Sequence, residues 1–121
     1  MGTTHDPQLL KGVLSPLLLW LLAERESYGY ELVQRLRTVG LSGISEGTVY
    51  PALSRLEREG RIRSRLVASH SGPARKYYQP TDSGYATLAE ATADWLALAA
   101  TVNGLLSRPV PPTPAAPTEE E

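Results

Sequence analysis

The stretch Ser45-Glu46-Gly47-Thr48-Val49-Tyr50-Pro51-Ala52-Leu53-Ser54-Arg55-Leu56-Glu57-Arg58-Glu59-Gly60 constrains the fold more than any other part of the chain. Val49, Leu53 and Leu56 recur at the spacing of one helix face and leave Thr48, Tyr50, Ser54, Arg55 and Arg58 on other faces. Ser45 stands where a hydroxyl can cap a helix, and Gly60 where a chain can leave one. Pro51 lies near the first turn, where a missing amide hydrogen costs little. The period then changes. Arg61-Ile62-Arg63-Ser64-Arg65-Leu66-Val67 alternates basic with apolar, at Ile62, Leu66 and partly Val67, which suits a half-exposed strand. Residues 76–79 can pair back with it across a loop over residues 69–74. A cation-bearing helix followed at once by a basic hairpin can meet phosphates and base edges.

The formal net charge of −1 argues against indiscriminate attraction to nucleic acid, but the average conceals an uneven distribution. Arg55, Arg58, Arg61, Arg63, Arg65, Arg75 and Lys76 face only Glu57 and Glu59 in their own region, while Glu119, Glu120 and Glu121 offset them from the far end. A local basic strip, rather than total charge, draws in a phosphate backbone. For such a run alone, a solvated hairpin face is the competing reading.

Absence of cysteine excludes disulfides and thiolate metal sites, and His5 and His70 are too few and too far apart for a metal cluster, so no metal or cofactor is expected. The apolar run at residues 17–23 is confined by Lys11 and Glu24 to well under the roughly 20 residues of a membrane span. It predicts a buried helix and no membrane partner. The start, Thr3-Thr4-His5-Asp6-Pro7, is polar and not basic, unlike a signal peptide, and a cytoplasmic location is expected. Serine, histidine and aspartate occur without a nucleophile motif around them, so the chain is not expected to be an enzyme.

A length of 121 residues suits one domain. The expected order is a flexible N-terminus over residues 1–8, a winged helix-turn-helix over 9–80, a long dimerisation helix over 81–107, and a disordered proline-rich acidic tail over 108–121. Residues 9–25 read as helical, with apolar positions at 10, 14, 17, 18, 21 and 22, but Pro16 must kink the helix or restart it. Ser15 before Pro16 has the form of an N-cap followed by proline at the first helical position, which predicts a short helix and then a longer one. Ser27-Tyr28-Gly29 breaks the pattern, residues 30–39 resume it through Leu32, Val33 and Leu36, and Gly40 stops it. Residues 41–44 form a turn, so two helices and a turn adjoin.

Thr81-Asp82-Ser83 caps the last helix, in which Leu88, Ala91, Trp95, Leu98, Val102 and Leu105 alternate spacings of three and four. That seam covers about two and a half heptads, short of a self-sufficient coiled coil, and needs help from the leucine-rich first helix through Leu10, Leu14 and Leu17. The fold class is therefore mainly α with a small β-hairpin. Beyond Arg108, prolines from 109 to 117 cannot hold a helix.

The motifs Glu46-Gly47-Thr48-Val49-Tyr50-Pro51-Ala52-Leu53, Arg55-Leu56-Glu57, Gly60, Arg75-Lys76-Tyr77-Tyr78 and Thr81-Asp82-Ser83-Gly84 follow one another in an order that resembles the PadR family of bacterial transcriptional regulators. The likeness runs from about residue 9 to residue 106 and, with one C-terminal helix, is similar to the short subfamily. It implies a homodimeric winged helix-turn-helix protein, usually a repressor, whose last helix packs against the first and last helices of its partner. Pro16 and the proline-rich tail depart from the family pattern.

The resemblance places Thr48 and Tyr50 at operator DNA, against capping and packing as their competing roles. Ser54 and Arg55 share the exposed faces of that helix. Ser45 has a competing duty as cap, while Glu46 and Gly47 allow close approach. In the wing, Arg75 and Lys76 can follow the backbone and His70 lies at the tip. Tyr77 and Tyr78 alternate faces; by resemblance Tyr78 packs inside and Tyr77 meets phosphate. Arg61, Arg63 and Arg65 share a strand face. In some ligand-responsive members similar to this chain, a tryptophan at the position of Trp95 faces its symmetry mate and stacks planar aromatic compounds between subunits. Trp20, Leu98 and Ala91 would line that site for a small aromatic or lipophilic effector. The neighbouring alanines leave volume for a pocket or for close helix packing. The leading reading is a repressor dimer released by a ligand; the alternative is a multidrug- or protein-binding dimer without specific DNA readout.

Overall fold

The computed structural model describes residues 5–115. Residues 1–4 and 116–121, and with them parts of the expected flexible start and acidic tail, lie outside the described residues. The elements are α1 (Pro7–Lys11), α2 (Leu14–Glu24), β1 (Ser27–Tyr28), α3 (Gly29–Thr38), α4 (Glu46–Arg58), β2 (Ile62–Ser69), β3 (Gly72–Pro80) and α5 (Asp82–Leu106). Among the described residues, no helix is long and apolar enough to cross a membrane.

Helical order begins two residues before the expected boundary. Asp6 Oδ1 accepts from the Gln8 amide at 2.8 Å, and Pro7 takes the first helical position, where its missing amide hydrogen is harmless. The leucine-rich stretch does divide into a short helix and a longer one, but Ser15 is not the cap: α2 starts at Leu14 with Val13 as N-cap. Pro16 therefore sits inside the first turn, where amides have no partner within the helix anyway.

The core gathers where α2, α3 and α4 cross. Leu18, Leu19 and Leu22 of α2 meet Leu32, Val33 and Leu36 of α3 and Val49, Leu53 and Leu56 of α4, with Ile62 and Tyr78 of the sheet closing one end. Arg35 pins this arrangement. Its guanidinium donates to the Leu21 carbonyl and to the buried Ser27 hydroxyl, both at 2.9 Å, and to Glu24 at 2.6 Å. The last turn of α2 and the first strand thus share one donor, which leaves Ser27 satisfied in the interior.

The hairpin acquires a third strand that the sequence did not predict. The sheet order is β1-β3-β2, all antiparallel, with Ser27 and Ser64 both opposite Tyr78. The wing loop is also shorter than expected, because β2 runs to Ser69 and β3 starts at Gly72, leaving only His70 and Ser71 between them. Ile62 is buried as its alternation requires, yet Leu66 on the same face is 73% exposed. By that point the strand has passed beyond the core.

Thr81 joins the last helix to this body. Its hydroxyl accepts from the Gly84 amide at 3.1 Å and donates to the Gly60 carbonyl at 2.6 Å. Gly84 is buried so tightly that a Cβ there would lie 2.0 Å from the Arg61 carbonyl oxygen. From that anchor α5 leaves the domain, and its later residues are largely exposed. Residues 107–115 carry no helix or strand.

Candidate nucleic-acid interface

Burial of Val49, Leu53 and Leu56 fixes how α4 is turned. At 3.6 residues per turn, Gly47, Pro51, Ser54 and Arg58 then point away from the core, with Thr48 and Arg55 on one flank and Tyr50 and Glu57 on the other. Gly47, Thr48, Pro51, Ser54, Arg55 and Arg58 are all exposed. This helix presents a polar outer face along its whole length.

At its N-terminus, Ser45 holds the N-cap position with an extended backbone, but its hydroxyl makes no capping bond to the helix. It lies 3.3 Å from the Thr48 hydroxyl instead. Side-chain capping by Ser45 is thereby corrected: the Thr48 amide donates to the Ser45 carbonyl at 3.1 Å instead, and the helix end carries its partial positive charge. Glu46 sits in that turn and is exposed.

Tyr50 combines the two roles that the sequence left open. Its ring lies so close to the start of α3 that a Cβ on Gly29 would come within 2.2 Å of Cε1, so only glycine fits there. The residue is nevertheless 39% exposed. Burial of the phenol, reinforced by the charge of Glu46, raises its pKa and keeps it a neutral donor.

The wing departs from the expectation of a cationic pair. Neighbours on a strand face opposite ways, so Arg75 and Lys76 lie on different faces of the sheet. Lys76 turns toward α4, where its ammonium meets Glu57 at 2.9 Å. Ser64 donates to the same carboxylate at 2.6 Å. The Ser64 hydrogen bond first, and Lys76 second, hold the Glu57 carboxyl below the ordinary carboxylate range. Arg75 turns outward and stacks 4.4 Å above the Tyr28 ring. Tyr77 meets Tyr28 edge-on at 5.3 Å and is half-buried, while Tyr78 is buried as the strand alternation requires of one of the two. Arg65 on this outer face is paired with Glu26, and Arg61 donates to the Ser83 hydroxyl at 2.8 Å. His70 is exposed at the tip.

Charge is thus neutralised unevenly. Arg25, Arg35, Arg65 and Lys76 each face a carboxylate, whereas Lys11, Arg55, Arg58 and Arg63 form no ion pair among the described residues. Glu57, Glu26 and Tyr28 are the residues that sequence reasoning missed. The first had a visible signal, since Glu57 is one of just two carboxylates inside the basic strip; Tyr28 meets Tyr77 and Arg75 of β3 and Glu26 meets Arg65 of β2, through a placement of β1 that no local pattern announces.

The residues expected at a subunit interface fall into two groups. Trp20, Trp95, Leu98, Val102 and Leu105 are exposed, and Leu10, Leu17, Leu88 and Ala91 are half-buried. Leu14 is different: at 6% exposure it belongs to the core of its own chain, so it is withdrawn from the surface a partner could touch. Among the described residues, no cluster of three or more acidic or histidine side chains is placed to hold a metal ion.

Known proteins share this architecture. Residues 18–90 match the Transcriptional regulator PadR-like family. The chain is 35% identical over 89 residues to an uncharacterised protein of Lysinibacillus sphaericus, covering 72% of this chain and 82% of that one. It is 41% identical over 70 residues to a transcriptional regulator of Mycobacterium tuberculosis, covering 56% and 62%. Among solved structures, a PadR-like transcriptional regulator from Bacillus cereus superposes with a TM-score of 0.76 at 43% identity, over 84% of this chain and 99% of its own. A Streptococcus transcriptional regulator gives 0.74 at 40% identity, over 83% and 98%.

Proposed function

Because the chain belongs to the PadR-like family of transcriptional regulators, winged helix-turn-helix proteins rather than enzymes, we propose that it binds operator DNA as a homodimer and represses transcription until a ligand releases it. The observation that carries this reading is α4: a helix locked by three buried residues, whose outer face is polar, exposed and bordered by unpaired cations. Such a helix enters a major groove by its N-terminal half. Ser45, Glu46 and Gly47 let it approach closely, Thr48, Tyr50 and Ser54 reach base edges or phosphates, and Arg55 neutralises the backbone. In the wing, Arg75, His70 and the Tyr77 hydroxyl follow the flanking phosphates. Lys76 joins them only on leaving Glu57.

The dimer forms when the stripe Leu88, Trp95, Leu98, Val102 and Leu105 of one α5 packs on the partner's α5 and on its Leu10 and Leu17, covering apolar surface that one chain leaves bare. A planar aromatic effector stacks at Trp95, lined by Trp20, Leu98 and Ala91, and favours a spacing of the two α4 helices that no longer matches half-sites one turn apart.

A fluorescence-anisotropy titration with DNA from the gene's own upstream region, repeated across salt concentrations beside a scrambled duplex, tests the reading. Tight, salt-sensitive preference for the native duplex is expected. Equal and weak binding to both would move the function to the α5 surface.

A further inference from the structure

A groove of about 860 Å³ runs between α1, the turn ahead of α4 and one flank of α4. The helix contributes Thr48, Pro51, Ala52, Arg55 and Arg58, a stripe that with Gly47 at its head extends about 16 Å at 1.5 Å per residue. The floor is apolar, built from Leu10, Leu14, Leu41 and Ile44. Lys11, Arg55 and Arg58 stand on the walls, and no aspartate or glutamate lines the groove. None of these three cations has a carboxylate partner among the described residues; Arg55 makes only a long 3.4 Å contact to the Ser15 hydroxyl. Neither Trp20 nor Trp95 lines it. It shares Leu10 with the surface proposed to receive the partner's α5, but none of the α5 stripe itself lines it.

We propose that this groove binds an amphipathic organic anion, with an extended or flat apolar body and one carboxylate or sulfonate. Each half of the groove demands one half of that molecule. The leucine and isoleucine floor is covered by an apolar body, which a DNA phosphate cannot supply. The guanidinium groups of Arg55 and Arg58 and the ammonium of Lys11 give an anionic head charge-assisted hydrogen bonds, whereas a neutral lipophile would shield the same cations from water without compensation. Gly47, Thr48 and Arg55 belong to both the groove and the helix face assigned to DNA, so an occupied groove competes with the operator. That last clause rests on the proposed function; the binding itself does not.

The test titrates the full chain, without DNA, against 1-anilinonaphthalene-8-sulfonate and against the neutral N-phenyl-1-naphthylamine. Lys11→Gln with Arg58→Gln, both on exposed side chains, is expected to weaken the sulfonate at least about tenfold and the neutral probe less than about twofold, since a charge-assisted contact to each cation is lost. Arg108→Gln, which removes a cation outside the groove, is expected to change neither. Ala52→Leu, which raises the floor, is expected to weaken both probes. Equal affinity for the two probes in the parent protein, or indifference of the sulfonate to both groove variants, overturns the proposal. So does a sulfonate affinity that rises about tenfold when residues 109–121 are removed, because the occupant is then the chain's own acidic tail. Competition is read separately, by displacement of labelled operator DNA with the sulfonate: bound probe that leaves DNA in place refutes the competition alone, and protein that never binds DNA refutes the proposed function while the probe titration still decides the groove.

Discussion

In α4 the residues at helical spacing, Val49, Leu53 and Leu56, are buried to 2% exposure or less, whereas in α5 the corresponding stripe of Trp95, Leu98, Val102 and Leu105 keeps between 40% and 58% of its surface open. Both helices carry an apolar face, but only α4 finds a cover for it inside the chain. The difference lies in what each helix reaches. α4 runs across α2 and α3 and beside β2, so every turn meets an apolar neighbour. α5 is fastened at its start by Thr81 and Gly84, then extends about 37 Å at 1.5 Å per residue, further than a small domain can follow. Most of a helix's stability in a protein comes from packing its apolar face, and this one keeps that face bare over its last three turns. One helix is therefore a finished part of the domain, and the other keeps an apolar stripe that the proposed dimer would cover.

The largest expected effect separates these two kinds of burial. Leu53→Ala removes a fully buried side chain and is expected to cost about 2–5 kcal/mol in urea unfolding, whatever the protein concentration. Leu98→Glu places a charge in the exposed stripe. It is expected to convert the proposed dimer to a monomer in sedimentation velocity, with a stability loss that grows with protein concentration because only the associated state is affected. A Leu98→Glu protein that stays dimeric, or loses the same stability at every concentration, would break the comparison.

How far each half was readable in the sequence follows from the same contrast. The α4 stripe was visible because its period, its N-cap position and its final glycine all lie within one segment. The α5 seam was visible for the same reason. Ser15 was misread because proline is harmless anywhere in a helix's first turn, so Pro16 cannot say whether the helix starts at Leu14 or after it. β1 was missed because two residues carry no period, and its partner lies some fifty residues away. Gly72 and Pro73 read as a loop but lie in β3. There β3 pairs only with β2, since β1 covers it solely at Tyr77 and Tyr78, and a proline is tolerated on the open side. The functional side chains on α4 could be named from sequence, but the partners of Arg65, Arg75 and Lys76 depended on which strand lay beside which.

Next in size is the contact that sets the outer flank of α4. Gly29→Ala would push a methyl group into the Tyr50 ring, and overpacking of this kind costs about 1–3 kcal/mol. Because Tyr50 must move, operator affinity is expected to fall together with the melting temperature. Arg55→Ala is expected to weaken operator binding about tenfold, in line with loss of one charged contact, while leaving the melting temperature and the dimer unchanged. If Arg55→Ala alters dimerisation and spares DNA binding, α4 rather than α5 is the interface.

The smallest effect lies two turns further along the same flank of α4, where Glu57 holds the helix to the wing by charge and not by burial. Glu57 accepts from Ser64 and pairs with Lys76, side chains that stay partly exposed, so Glu57→Gln is expected to cost less than about 1 kcal/mol. The pH dependence has a definite sign. The folded-state pKa of Glu57 lies below its ordinary value of 4.5, so its contribution is fully present above that value and is lost as the pH falls through the depressed one. Glu57→Gln should remove that part of the acid dependence and leave stability near neutrality almost unchanged. Its effect on DNA has the opposite direction. Freed from its carboxylate, Lys76 becomes available to a phosphate, and the slope of log affinity against log salt is expected to steepen by about 0.9. A slope that stays the same would mean that Lys76 never faces DNA and that its ion pair with α4 only orients the wing; a shallower one would mean that the wing loses its phosphate contacts when the pair is broken.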